Sequence, residues 1–207
     1  MFVITAGRTG PNRSLRFGGD LSLDERGHRD MSALAAAAVD PAGVVVICGP
    51  ERATRESCAL LAADHVVDAR LASPDFGAWS GLAPEEIEPE QLRAWFTDPS
   101  ACPHGGESIA SFVERIHRWR ADAEPAPDVC VVSMPVAQAL LADDAARYFA
   151  VEVRPRPSTN SPAGDDTGSP ECPFTSAMSP DTVFRKKLKH VLIVGRVRRC
   201  SSGPKKT

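Results

Sequence analysis

The apolar residues of this chain fall into short continuous runs and into longer segments with helical spacing. Continuous β-branched runs are typical of strands that are covered on both faces, and they occupy residues 3–5, 44–48 and 128–133, with a shorter strand expected near residue 66. Helical spacing is found over residues 24–41, 51–64, 84–96, 107–120 and 136–149. Because strands and helices alternate, the pattern predicts an α/β fold: a three-layer α/β/α sandwich with a mainly parallel central sheet over residues 1–153.

The composition changes after this predicted domain. Residues 154–182 are rich in Pro, Ser, Gly and Asp and offer little apolar surface to bury, so we expect a disordered linker. Residues 183–207 carry nine Lys or Arg and no Asp or Glu, and they predict a basic tail. Its apolar patch, residues 191–194, is the one part of the tail that is suited to pack, as an edge strand of the sheet.

Charge and cysteine content narrow the class of protein. The formal net charge is -3, but residues 151–207 carry eleven basic and five acidic side chains, so the first 150 residues are acidic. The six cysteines form no C-x-x-C pair and have no histidine at metal-ligand spacing, which predicts no metal site and no cofactor. Cys48 and Cys130 lie in apolar runs and are expected to be buried. No run is long enough to span a membrane, and a reduced cytoplasmic protein is expected.

Five motifs follow the predicted strands or open helices. They are TAGRT at residues 5–9, CGPERA at 48–53, LASPDFGAWSG at 71–81, GGES at 105–108 and VVSM at 131–134. In order and approximate spacing they resemble the motifs of the histidine phosphatase, or phosphoglycerate mutase-like, superfamily. The resemblance implies a phosphohistidine mechanism in a cleft at the carboxyl ends of the strands, where open α/β sheets bind their ligands.

The polar residues of that mechanism are missing from the matching positions. The phosphate-accepting histidine of the family corresponds to Ala6, and the arginine before it, a phosphate clamp, to Thr5. The general acid glutamate corresponds to Ser73, and the second histidine to Met134. A methyl group cannot accept a phosphoryl group, so the resemblance implies the fold without the usual activity.

Other residues remain candidates for ligand contact at the same cleft. Each also has a purely structural explanation. Glu107 can begin a helix, where its charge offsets the helix dipole. Arg52 and Arg55 can be solvated helix side chains, and His104 can be an ordinary loop residue. The candidates are Gly7, Arg13, Arg16, Arg52, Arg55, His104 and Glu107.

The sequence favours a repurposed non-phosphatase enzyme or a small-molecule-binding protein that acts at this cleft. The replacements make the cleft less charged and suit a less anionic ligand than a phosphate ester. One alternative is a pseudophosphatase that acts through protein partners, and another is a phosphatase or mutase with relocated catalytic residues. A solvated tail is favoured over one that contacts nucleic acid or a membrane.

Overall fold

The computed structural model describes residues 1–10, 16–37, 43–124, 126–153 and the backbone of 193–196. Within these residues one sheet contains the strands β1 (Phe2–Thr5), β2 (Val46–Cys48), β3 (Val66–Val67), β4 (Val129–Val132) and β5 (Ile193–Arg196). Their order is β3-β2-β4-β1-β5. The first four strands pair in parallel and β5 pairs antiparallel to β1. The three predicted central strands are therefore neighbours, and the predicted fold class is confirmed.

The described helices are α1 (Glu25–Ala37), α2 (Arg52–Leu61), α3 (Pro89–Thr97), α4 (Ile109–Asp122) and α5 (Met134–Leu141). Asp24 caps the start of α1, since its carboxylate accepts a hydrogen bond of 2.7 Å from the Gly27 amide. The predicted helix over residues 84–96 is divided, because Pro89 opens α3 after a separate 3-10 turn. No helix in the described parts of the chain is long and apolar enough to cross a membrane.

The two faces of the sheet carry two apolar clusters. Alternate residues of the strands point to opposite faces, so Val3 and Cys130 join one cluster while Ile4 and Val131 join the other. The first cluster contains apolar residues of α4 and α5, and the second contains residues of α1 and α2. This division produces the three layers.

The strand β5 comes from the predicted tail. Ile4 lies opposite Ile193, so residues 193 and 194 of the apolar patch belong to this edge strand, which continues beyond the patch to Arg196. The rest of the predicted linker and basic tail, residues 154–192 and 197–207, lies outside the described residues.

Two loops are held against each other beside the sheet, and we call residues 75–78 and 104–107 the loop clasp. The Ala78 amide donates to the His104 carbonyl at 2.9 Å, and the Glu107 amide donates to the Asp75 carbonyl at 2.8 Å. Gly77 has a φ of 45°, and a side-chain carbon there would overlap the His104 carbonyl oxygen. The clasp therefore requires glycine at this position.

His104 is a buried part of the clasp. Its side chain is enclosed by aromatic rings, with ring-centroid distances of 4.9 Å to Trp79 and 4.5 Å to Trp95. Its Nδ1 accepts a hydrogen bond of 3.0 Å from the Gly106 amide, so the proton of the neutral ring lies on Nε2. Burial lowers the pKa of His104, and the nearby charge of Asp75 opposes that shift.

Deleting the edge strand tests the β1–β5 pairing. A chain that ends at Val153 leaves one edge of β1 unpaired, whereas a chain that ends at Arg196 retains β5. Because an unpaired edge exposes backbone donors and acceptors, we expect the shorter chain to melt at a lower temperature and to aggregate more readily. Thermal melts with light scattering measure both effects. Identical melting of the two truncated chains would contradict the pairing.

The buried histidine predicts a loss of stability in acid. The pKa of His104 is lower in the folded than in the unfolded chain, so the unfolded state binds more protons once the pH falls below about 6.5. The contribution is present above that pH and declines as the pH falls, by up to about 1.4 kcal/mol per pH unit. His104→Phe should flatten the dependence of the free energy of unfolding on pH below about 6.5, measured by urea titration. An unchanged slope would show that His104 does not cause it.

Candidate functional site

Three strands end side by side at one edge of the sheet. The Ala6 amide donates to the Val132 carbonyl at 2.8 Å, and the Gly49 amide donates to the Val131 carbonyl at 3.0 Å. The residues that follow β1, β2 and β4 are therefore neighbours, and we call the surface that they form the strand-end cleft. This is the edge at which parallel α/β sheets bind ligands.

A small polar network occupies this cleft. The hydroxyl oxygens of Ser73 and Ser133 lie 2.7 Å apart, and the Ser73 amide donates to Oε1 of Glu51 at 2.5 Å. The other carboxylate oxygen of Glu51 lies above Gly49, where an added side-chain carbon would come within 2.7 Å of it. We call Glu51, Ser73 and Ser133 the cleft network. It brings a carboxylate to the ends of the strands.

Local structure explains why Glu51 lies there. Glu51 precedes the first residue of α2 and has an extended backbone. The Thr54 hydroxyl lies 2.7 Å from the Gly49 carbonyl and 2.6 Å from the Glu51 carbonyl, which holds the turn between β2 and α2. A buried strand, a short turn and a helix start thus direct the Glu51 side chain over the cleft.

The four positions that the sequence motifs aligned with the family's catalytic residues lie at the same end of the sheet as this network. Thr5 ends β1 and is buried, and Ala6 follows it beside the end of β4. Ser73 belongs to the network itself. Met134 follows Ser133 as the first residue of α5 and is 44% exposed. Because each position is at or next to a strand end or in the network, strand pairing places them at one end of the sheet.

Gly7 serves protein packing. Its amide donates to the Ser57 hydroxyl at 2.9 Å. A side-chain carbon at Gly7 would come within 2.8 Å of Met31 and 3.0 Å of Leu23. Met31 and Leu23 therefore occupy the space that a side chain at residue 7 would need. The glycine permits this close packing.

The candidate arginines that the structure describes are exposed, and two of them contact groups outside the cleft network. Arg16 donates to the Gly81 carbonyl at 2.6 Å and lies 3.3 Å from Glu86. Arg52 lies 3.9 Å from Glu56. Arg55 is exposed on the same helix, and Arg13 lies outside the described residues. Within the described residues, no side-chain hydrogen bond joins Arg16, Arg52 or Arg55 to the cleft network; the Arg55 amide donates only to the Glu51 backbone carbonyl, at 3.0 Å, within the first turn of α2.

A groove of about 650 Å³ continues from Ser73 along α4. Glu107 lies in its wall and is paired with Arg115, whose guanidinium donates to the carboxylate at 2.9 and 2.8 Å. Arg115 also donates to the Arg70 and Ala72 carbonyls, at 2.6 and 3.2 Å. Ser108 caps α4, so Glu107 precedes the helix that it was predicted to open. The groove is lined by Ala69, Ala72, Ser73, Asp75, Ser100, Cys102, Gly106, Glu107, Ser108, Ser111 and Arg115.

The lining determines what the site can bind. Four serines line the groove, and the charges of Glu107 and Arg115 offset each other. His104 is not part of the lining, since its ring is buried in the aromatic cluster. Hydroxyl groups can both donate and accept hydrogen bonds, so the combined cleft and groove suit a polar ligand with little negative charge.

Sequence reasoning missed Glu51 and Ser133 as cleft residues. Glu51 appears in the sequence only as a neighbour of Arg52, and Ser133 as the end of a strand. Both stand one to three residues beyond buried strands, which is the position where side chains reach the ligand edge of a parallel sheet. That position was the available signal.

Comparison with known proteins agrees with this architecture. A structure of the mycobacterial glucosyl-3-phosphoglycerate phosphatase is 24% identical, with a TM-score of 0.59, and the match covers 73% of this chain and 84% of that one. TTHB049 from Thermus thermophilus is 25% identical, with a TM-score of 0.57, and the match covers 68% and 81% of the two chains. These likenesses concern the fold.

Curated relatives match over a shorter stretch. A bifunctional protein of Mycobacterium tuberculosis and an uncharacterized protein of Mycobacterium bovis are each 32% identical over 130 residues. The match covers 58% of this chain but 36% of each relative, so it spans about a third of their length.

The model of one protein family matches most of the chain. It spans residues 2–154, which include the whole parallel sheet, the cleft network and the groove. The chain therefore belongs to the histidine phosphatase superfamily, branch 1.

Proposed function

We propose that this protein has lost the phosphohistidine mechanism and binds a small molecule that carries no phosphate group at the strand-end cleft, as a repurposed enzyme or as a binding protein. The observation that carries the proposal is the position of the Glu51 carboxylate, 2.5 Å from the Ser73 amide and above Gly49. Ser73 replaces the general acid of the family, so a negative charge stands beside a site that the family uses for an anion.

The loss of catalysis follows from the residues at the family positions. Ala6 has no atom that can attack phosphorus, and Met134 has no ring nitrogen to contact the phosphoryl group. Thr5 cannot replace the charge of an arginine clamp, and its side chain is buried at the end of β1. Phosphoryl transfer depends on positioning and on the stabilisation of negative charge, and these four replacements remove both.

Electrostatics favours a different class of ligand. Two like charges 4 Å apart near a protein surface repel each other by about 4 kcal/mol, so a phosphate placed close to Glu51 would be opposed. A cationic or neutral hydroxylated molecule would meet a hydrogen-bond acceptor in Glu51 and the hydroxyls of Ser73 and Ser133. The serine-lined groove extends the space available for such a ligand.

One prediction of the proposed function concerns the turnover of phosphate esters. The full chain should release no phosphate from p-nitrophenyl phosphate above a protein-free blank and should form no acid-labile phosphohistidine, because Ala6 replaces the nucleophile. Ala6→Val should give the same blank signal. Phosphate release that follows the chain through successive columns at constant specific activity would refute the loss of the mechanism.

The second prediction concerns ligand charge. Amide resonances of Gly49, Ser73 and Ser133 should shift when choline is added at millimolar concentration and should not shift with glycerol 3-phosphate. Glu51→Gln should weaken the response to choline at least threefold and allow glycerol 3-phosphate to bind, since it removes the like charge. Glu90→Gln removes the same charge on exposed α3 and is the matched control.

The outcomes of this titration are distinct. A glycerol 3-phosphate response that equals that of choline and is insensitive to Glu51→Gln would overturn the role of Glu51. A response to neither probe at the three amides would remove the cationic-ligand proposal and favour the alternative in which the protein acts through protein partners.

A further inference from the structure

Three side chains with metal-binding atoms meet on the α2 face of the sheet. The sulfur atoms of Cys48 and Cys58 and a ring nitrogen of His65 all lie within 4.8 Å of one another. Cys48 belongs to β2, Cys58 to α2, and His65 stands directly before β3. Both cysteines are free thiols with no solvent exposure, and His65 is half-buried. We call these three residues the thiol–imidazole cluster.

The hydrogen bonding of His65 leaves one of its ring nitrogens with a free lone pair that can bind a metal. Its Nδ1 lies 3.0 Å from the Ala62 carbonyl oxygen, and only a protonated nitrogen can donate to a carbonyl. The lone pair of the neutral ring is therefore on Nε2. Histidines that bind metals commonly donate their other N–H to a backbone carbonyl in this way, which fixes the tautomer and the ring orientation.

The dimensions of the cluster suit a small tetrahedral cation. Zinc binds thiolate sulfur at about 2.3 Å and imidazole nitrogen at about 2.0 Å, which puts its ligand atoms roughly 3.3 to 3.8 Å apart. The separations here are at most 4.8 Å, so a contraction of about 1.5 Å or less closes the site. The half-buried His65 is the side chain best placed to move.

The chemistry of the donors narrows the choice of metal. Two thiolates and one imidazole favour thiophilic cations over magnesium or calcium, which prefer oxygen ligands. Binding would release the thiol protons, since thiolates are the ligands. A set of two cysteines and one histidine leaves a fourth position of a tetrahedral zinc ion open.

We propose that Cys48, Cys58 and His65 form a zinc site that joins β2, α2 and the start of β3. The strand β3 has only two residues, Val66 and Val67, and both are exposed. A metal bound by His65 would secure this short edge strand to the core of the sheet. The spacing of the cysteines in the sequence predicts no metal site, and this proposal departs from that expectation because the three residues meet only through folding.

A third buried cysteine provides a matched control. Cys130 has no solvent exposure and lies opposite Ile47 in the sheet, so it belongs to the apolar cluster on the other face. Cys130→Ala therefore removes a buried thiol without touching the thiol–imidazole cluster. Metal binding at the proposed site should not respond to it.

The test uses the full chain, reduced with a phosphine reductant and titrated with Co²⁺ and then with Zn²⁺. We expect one Co²⁺ per chain with a thiolate charge-transfer absorption, and displacement of Co²⁺ by one equivalent of Zn²⁺. X-ray absorption of the zinc form should show two sulfur ligands at about 2.3 Å. Cys58→Ala and His65→Gln should each weaken Zn²⁺ binding at least tenfold, while Cys130→Ala should leave the affinity unchanged.

Circular dichroism of each variant verifies its folding. His65→Gln changes a half-buried side chain, so it keeps the test informative should the cysteine variants fold poorly. Wild-type Zn²⁺ affinity in folded His65→Gln, an equal loss in Cys130→Ala, or a cobalt complex without thiolate absorption would each overturn the proposal.

Discussion

The pairing of β4 with both β1 and β2 is the constraint on which the remainder of this structure depends. β4 is buried along its whole length, and its parallel neighbours place Thr5 beside Val132 and Cys48 beside Val131. The residues that follow the three strands are consequently brought to one edge. A different register would separate Ala6, Glu51 and Ser133, which lie on one surface only because the three strands end at the same level.

The same end of the sheet carries the polar groups of the candidate site. The chain belongs to the histidine phosphatase superfamily, and its cleft network lies at the ends of β2 and β4, beside the groove along α4. The polar groups of the cleft network are two hydroxyls and a carboxylate. Arg16, Arg52 and Arg115 are each paired with a carboxylate outside that network. That balance of charge is the basis of our proposal that the cleft binds a neutral or cationic molecule rather than a phosphate.

The two faces of the sheet carry different side chains. On the α4 and α5 face, aromatic rings enclose His104 and support the loop clasp beside the groove. On the α1 and α2 face, the apolar cluster includes Cys48 and Cys58, next to His65. A ligand at the strand ends and a metal on the α2 face would therefore act on separate parts of the domain, connected through β2.

By itself the sequence determined the family, the fold class and the three central strands, because each depends on local apolar runs and short motifs. It also indicated an apolar patch, residues 191–194, of which residues 193 and 194 lie in β5. It did not determine that Pro89 divides the predicted helix over residues 84–96, since proline is equally compatible with a first helical turn. Only the tertiary structure decided that Glu51 meets Ser73, that His104 is enclosed by tryptophans and that Cys48, Cys58 and His65 come together. These contacts join residues on different elements, and their distances follow from the packing of helices and loops on the sheet, which no local pattern in the chain encodes.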